Sequence, residues 1–148
     1  MIKICFVCLG NICRSPMAEF MMKKKLVDLK LSNKFYVVSR ATSYEEDGND
    51  IYPSAKSKLA QEGIPYSKHR ATRLEKEDYK NYDYFICMEE RNISNTIRIF
   101  GHDNDNKVFK LLDKDIADPW YTGNFTDTYN DLDIGLDKLI NKLIKNND

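Results

Sequence analysis

The stretch "IKICFVCLGNICRSPMAEF", Ile2 to Phe20, reads as a strand, a loop and the start of a helix. Its first seven residues form an apolar, β-branched and aromatic run of strand length. Gly10-Asn11 breaks the run, and a helical pattern opens at Ser15-Pro16. Proline in a first helical turn loses nothing by lacking an N–H, so Ser15-Pro16 reads as a helix start. Ala18, Met22, Leu26 and Leu29 then recur at helical spacing and predict a buried face.

The same alternation continues along the chain. Strands are expected at Phe35–Ser39, Tyr82–Met88 and Lys107–Leu112. Helices are expected near Ile51–Glu62, stopped by Gly63, and over Glu89–Phe100. A last helix carries Tyr129, Leu132, Leu136, Leu139 and Leu143 on one face. Strand–helix alternation predicts an α/β fold, a parallel sheet covered on both faces. The chain has 148 residues, which suits a single domain over 1–148 with a sizeable core.

Composition narrows the function classes. Lys+Arg and Asp+Glu both number 23, and a formal net charge of zero argues against a nucleic-acid partner. No apolar run reaches membrane-spanning length and the N-terminus lacks a secretory pattern, so a cytoplasmic protein is expected. Lys23–Lys25 reads as a solvated helix face and not as a lipid-binding patch. Cys5, Cys8, Cys13 and Cys87 do not suit a disulfide framework, and His69 and His102 stand apart, so no metal is expected.

Cys8 and Arg14 show a C-x5-R spacing in the loop beyond the first strand. Ligands of α/β sheets sit beyond the carboxyl ends of strands, where loops meet helix N-termini. The residues Leu9, Gly10, Asn11, Ile12 and Cys13 let the chain curl with its N–H groups inward, a nest for an anion. Such a field favours a thiolate at Cys8, Arg14 adds a planar clamp for two oxygens, and Ser15 offers its hydroxyl to the sulfur. These are the tools of phosphoryl transfer to sulfur. An isolated C-x5-R is explained equally well by two small apolar cysteines at a turn; the strand–loop–helix setting and the adjoining Ser-Pro favour chemistry. Cys5 and Cys8 form a C-x-x-C, but residues three apart on a strand face opposite sides, so Cys5 reads as core.

"VCLGNICRSPMAEF" resembles the signature of the low-molecular-weight protein tyrosine phosphatases. "SRATS", "KHRATRLEKEDYKNYDYFICMEERN" and "DIADPW" follow in that family's order and spacing, so the resemblance covers nearly the whole chain. It implies a four-stranded parallel sheet with helices on both faces, and hydrolysis of phosphotyrosine or small aryl phosphates through a phosphocysteine. It also implies a monomer without cofactor, inhibited by phosphate and vanadate. The catalytic set becomes Cys8, Arg14 and Asp118, the last within the Asp118-Pro119-Trp120-Tyr121 acid loop. Pro119 stiffens that loop, and Trp120 and Tyr121 wall the substrate slot and shelter Asp118 from water. Asp118 starting protonated and Cys8 ionised predict an optimum on the acidic side of neutrality.

The resemblance further implies a network of Asn11, Ser15, Ser39 and His69 that holds the loop, with Asn11 in a strained left-handed conformation and Glu19 paired with His69. Cys13 becomes a redox partner that protects Cys8 as a disulfide. The chain departs from the family at Ser43–Ile51: Glu45 stands where an aromatic slot residue is usual, Tyr44 stands one position early, and Tyr52-Pro53-Ser54 replaces an Asp-x-Arg. The slot is expected either to be re-formed by Tyr44 beside Glu45 or to be wider, with Glu45, Glu46 and Asp47 near the mouth repelling acidic phosphopeptides and favouring basic ones. A thiol-coupled arsenate reductase would need two further cysteines, and only Cys87 lies downstream. A silent phosphate-binding module would have lost Cys8 or Asp118, and both are present.

Overall fold

The structure, a computed structural model, describes residues 1–146. Its elements run β1 (Ile2–Cys8), α1 (Arg14–Asp28), β2 (Phe35–Ala41), α2 (Pro53–Gln61), β3 (Tyr84–Cys87), α3 (Glu90–Phe100), β4 (Val108–Lys110), α4 (Pro119–Thr122) and α5 (Phe125–Asn146). The strands form one four-stranded sheet in the order β2-β1-β3-β4. All three pairings are parallel. This is the expected single-domain α/β architecture.

Strand burial follows position in the sheet. β1 lies between two neighbours and is covered on both faces, so Ile4 to Cys8 are all buried. β2 is an edge strand and alternates, with Phe35, Val37, Ser39 and Ala41 inward. Cys5 and Val7 pack with Leu74, Phe85, Cys87 and Phe100, while Cys8 packs on the other face with Met17, Met22, Leu136 and Ile140. The strand period thus separates the two thiols of the C-x-x-C, and Cys5 is core.

Helix ends show where local signals were incomplete. α1 starts at Arg14 with Cys13 at its cap, and no side chain caps it. Ser15 lies inside the first turn because its hydroxyl is used elsewhere. Leu29, expected on the buried face, is exposed at the end of α1. The lysine run is not simply solvated. Lys23 pairs with Glu19, Lys24 with Asp28, and Lys25 spans to Asp133 and Asp137 of α5 at 2.6 and 2.8 Å. β4 is shorter than expected: Leu111 and Leu112 leave the strand, and Leu111 packs against Gly135 of α5. Among the described residues no helix is long and apolar enough to cross a membrane.

Candidate active site

The chain passes from β1 outward to β2 and then back across β1 to β3. The loops beyond the carboxyl ends of β1 and β3 therefore diverge, and such a point leaves a crevice. Cys8 ends β1 there, and residues 9–13 link it to α1.

The backbone of this loop has its carbonyls turned outward. Cys8, Leu9 and Ile12 accept from the N–H groups of Thr42, Ser43 and Tyr52 at 3.0, 3.1 and 2.9 Å. The Asn11 carbonyl accepts from His69 Nε2 at 2.8 Å, which requires that nitrogen to carry the proton. The N–H groups of Leu9, Gly10, Ile12 and Cys13 meet no acceptor among the described residues. A loop with its carbonyls bonded outward and its N–H groups unpartnered among the described residues, set at the start of the 15-residue α1, could receive an anion.

Asn11 makes the curl possible. Its φ is +59°, in the left-handed region that asparagine tolerates better than other side chains. Its side chain is fully buried and bonded at both ends. Oδ1 accepts from Thr72 N at 3.1 Å, and Nδ2 donates to Ser15 Oγ at 2.8 Å. Since Ser15 Oγ accepts that proton, its own hydrogen is free for Cys8 Sγ, 3.0 Å away. The Asn11 N–H donates to the same sulfur at 3.3 Å. Two donors thus converge on one sulfur and fix its position at the floor of the loop.

Arg14 is only 1 % exposed and its guanidinium is fixed from several sides. One terminal nitrogen donates to the Ile116 carbonyl at 2.9 Å and lies 3.5 Å from Glu89; the other reaches Asp118 Oδ2 at 3.3 Å. Its Nε is buried and has no partner among the described residues, a donor that could serve an oxyanion. Asp118 caps α4, accepting from Trp120 N at 3.0 Å. Ile116 N donates to the Met88 carbonyl at 2.8 Å, tying the loop that carries Asp118 to the end of β3.

One pocket gathers Cys8, Leu9, Gly10, Ile12, Cys13, Arg14, Glu45, Glu46, Asp118, Trp120 and Tyr121. Trp120 and Tyr121 are 51 % and 77 % exposed and stand at its mouth, leaving Asp118 partly open to solvent. Tyr44 is not in the pocket. Its ring lies under the Arg73 guanidinium, 4.7 Å from the ring centre, and its hydroxyl donates to Glu75 at 3.1 Å. Glu46 takes the wall position instead, and Asp47 does not line the pocket.

The supporting network differs in part from expectation. Ser39 donates to Glu19 at 2.7 Å, and Glu19 also pairs with Lys23, so these two residues are joined to each other and not to His69 or Asn11. Sequence reasoning missed Thr72, Glu89, Ile116, Asp50 and Tyr52. Asp50 accepts from the His69 and Ile51 N–H groups and pairs with Lys56 at 2.6 Å. The Lys56 ammonium, with those N–H groups, lowers its pKa from 3.8 to about 2. Tyr52 meets Trp120 edge-on at 4.8 Å and stacks on Phe125 at 6.2 Å, bracing the loop that carries Asp118. No short motif marks these residues, because each acts through a contact made only in the fold.

Burial pushes the thiol of Cys13 up to about 12, with the neighbouring Cys8 adding to the shift. Cys87 is likewise pushed up to about 12 by burial in the sheet, and Cys5 is raised by the same cause. All four cysteines are free. Among the described residues no cluster of His, Cys, Asp or Glu could hold a metal ion.

The family model described as "Low molecular weight phosphotyrosine protein phosphatase" matches residues 3–148. The chain belongs to this family. Members are cysteine-dependent hydrolases. A Staphylococcus saprophyticus relative, the low molecular weight protein-tyrosine-phosphatase PtpA, is 37% identical over 151 residues, covering 98% of this chain and 96% of the relative. The crystal structure of YfkJ from Bacillus subtilis superimposes with a TM-score of 0.96 at 32% identity, covering 100% of this chain and 98% of that one. SP-PTP, the low molecular weight protein tyrosine phosphatase from Streptococcus pyogenes, gives a TM-score of 0.91 at 38% identity, with 97% and 93% covered.

Proposed function

We propose that this chain hydrolyses phosphotyrosine and other aryl phosphate monoesters through a phosphocysteine, with Cys8 as nucleophile, Arg14 as phosphate clamp and Asp118 as acid and base. The observation that carries the reading is the Cys8 sulfur, held by Ser15 and Asn11 at the floor of a donor-lined loop whose cleft also holds Arg14 and Asp118.

In the first step the thiolate attacks phosphorus, the bond to the leaving oxygen breaks, and Asp118 gives that oxygen its proton. The inward N–H groups and Arg14 Nε stabilise charge on the transferring oxygens. In the second step Asp118 takes a proton from water, the water oxygen bonds to phosphorus, and the P–S bond breaks to free phosphate and the thiolate. The cycle calls on groups of one chain, so we read the protein as a monomer needing no cofactor, metal, nucleic acid or membrane. Its setting on this reading is the cytoplasm, where a thiol nucleophile stays reduced. Phosphate and vanadate would compete for the same loop.

The test is hydrolysis of p-nitrophenyl phosphate by wild type, Cys8→Ser and Asp118→Asn, with and without vanadate. Expected are turnover by wild type that vanadate blocks, none by Cys8→Ser, and a fall of roughly 10²–10⁴-fold for Asp118→Asn. A wild type that binds phosphate without turnover would make the chain a binding module.

A further inference from the structure

We infer that Glu45 and Glu46 make this site selective for phosphotyrosine segments flanked by lysine or arginine; the inference rests on the phosphatase reading and names its substrate class. The cleft is lined by three carboxylates, Glu45, Glu46 and Asp118, and by one cation, Arg14. Arg14 is already engaged by Asp118, Glu89 and the Ile116 carbonyl, and its remaining donor, Nε, is buried without a partner among the described residues. The site therefore combines a floor that takes a phosphate with a rim that carries net negative charge.

The turn that carries the rim carboxylates is fixed, and neither carboxylate is ion-paired among the described residues. The turn that carries them is closed by Asp47 N donating to the Tyr44 carbonyl at 3.1 Å and by Glu45 N donating to Ser43 Oγ at 3.1 Å. Gly48, at φ +89°, turns the chain back to bond Ala71 at 2.8 Å. Glu46 accepts from Asn49 Nδ2 at 2.7 Å, and its Cγ lies 3.4 Å from where a Cβ on Gly10 would stand, directly on the cradle.

Among the described residues, neither Glu45 nor Glu46 has a lysine, arginine or histidine within ion-pair distance. The nearby cations are committed elsewhere: Arg73 to Tyr44 and Glu75, Lys56 to Asp50. Arg70 lies behind the turn, its Nε 4.0 Å from the Cβ position of Gly48, and pairs with neither. A segment rich in Asp or Glu meets two uncompensated like charges here, whereas a Lys or Arg beside the phosphotyrosine supplies the missing partners.

The experiment compares two phosphotyrosine peptides of equal length, one with Lys and Arg at the flanks and one with Asp and Glu. Each is assayed for kcat/KM at low and high salt with wild type and with the Glu45→Gln/Glu46→Gln double variant. Each exposed carboxylate–cation pair is worth about 1.5- to 5-fold, so the basic-to-acidic ratio for wild type at low salt should be roughly 2 to 25. It should fall toward one at high salt, which screens such pairs, and also in the double variant. Turnover of both peptides with a ratio at or below one, or a ratio that the double variant leaves unmoved, overturns the inference alone. No turnover of either peptide by a wild type that hydrolyses p-nitrophenyl phosphate overturns the inference alone, whereas no turnover of p-nitrophenyl phosphate either overturns the phosphatase reading and the inference with it.

Discussion

Replacing Asn11 tests the structural logic of the loop most directly, because one residue combines a backbone demand with two buried side-chain bonds. Asn11→Ala removes the bonds to Thr72 N and Ser15 Oγ. At about 0.5–1.5 kcal/mol each, their loss costs roughly 1–3 kcal/mol. Alanine at φ +59° adds about 1 kcal/mol, since a plain Cβ is disfavoured in the left-handed region. The total is about 3 kcal/mol, which for a chain of this length lowers Tm by roughly 6–12 °C. Asn11→Gly loses the same two bonds without the backbone term, so it should unfold several degrees above the alanine variant. Calorimetry with matched urea unfolding reads both differences. Equal Tm values for the two variants would refute the backbone part of the reasoning, and a loss under about 0.5 kcal/mol in both would refute the hydrogen-bond part.

Asp50 supplies a pH test. Its pKa is lowered from 3.8 to about 2, so the stability it contributes is complete above its unfolded value and disappears as pH falls through the folded one. The stability gap between wild type and Asp50→Asn should be constant from pH 5 to 7 and close between about pH 4 and pH 2; a gap that persists at the bottom of that range contradicts the Lys56 pairing. Oxidation offers another: Cys8 sulfenic acid and the Cys13 thiol can condense to a disulfide and water, so wild type treated with peroxide should regain activity in dithiothreitol and Cys13→Ser should not. Equal recovery of the two proteins would count against Cys13 as protector. Gly135→Ala places a Cβ 2.6 Å from Leu111 Cγ and should cost about 1–3 kcal/mol by overpacking, read from the urea midpoint.

The chain order of elements, the parallel sheet and the placement of Cys8 and Arg14 in one loop were legible in the sequence. They depend on local periodicity and on a spacing of a few residues, and backbone geometry turns both directly into structure. The separation of Cys5 from Cys8 followed for the same reason. The resemblance to a family supplied Asp118, which no local rule distinguishes from the other aspartates. Only in the packed fold do residues far apart in the chain meet: Thr72 on Asn11, Glu89 and Ile116 on Arg14, Asp50 on the His69 N–H, Tyr52 against Trp120. It also moved Tyr44 onto Arg73 and left Glu46 on the cradle, and it joined Ser39 to Glu19. Each of these contacts is a competition among several polar partners within reach. Its outcome depends on distances fixed by the packing of β1, β2 and α1, and that packing is settled by the whole core and not by any single stretch of sequence.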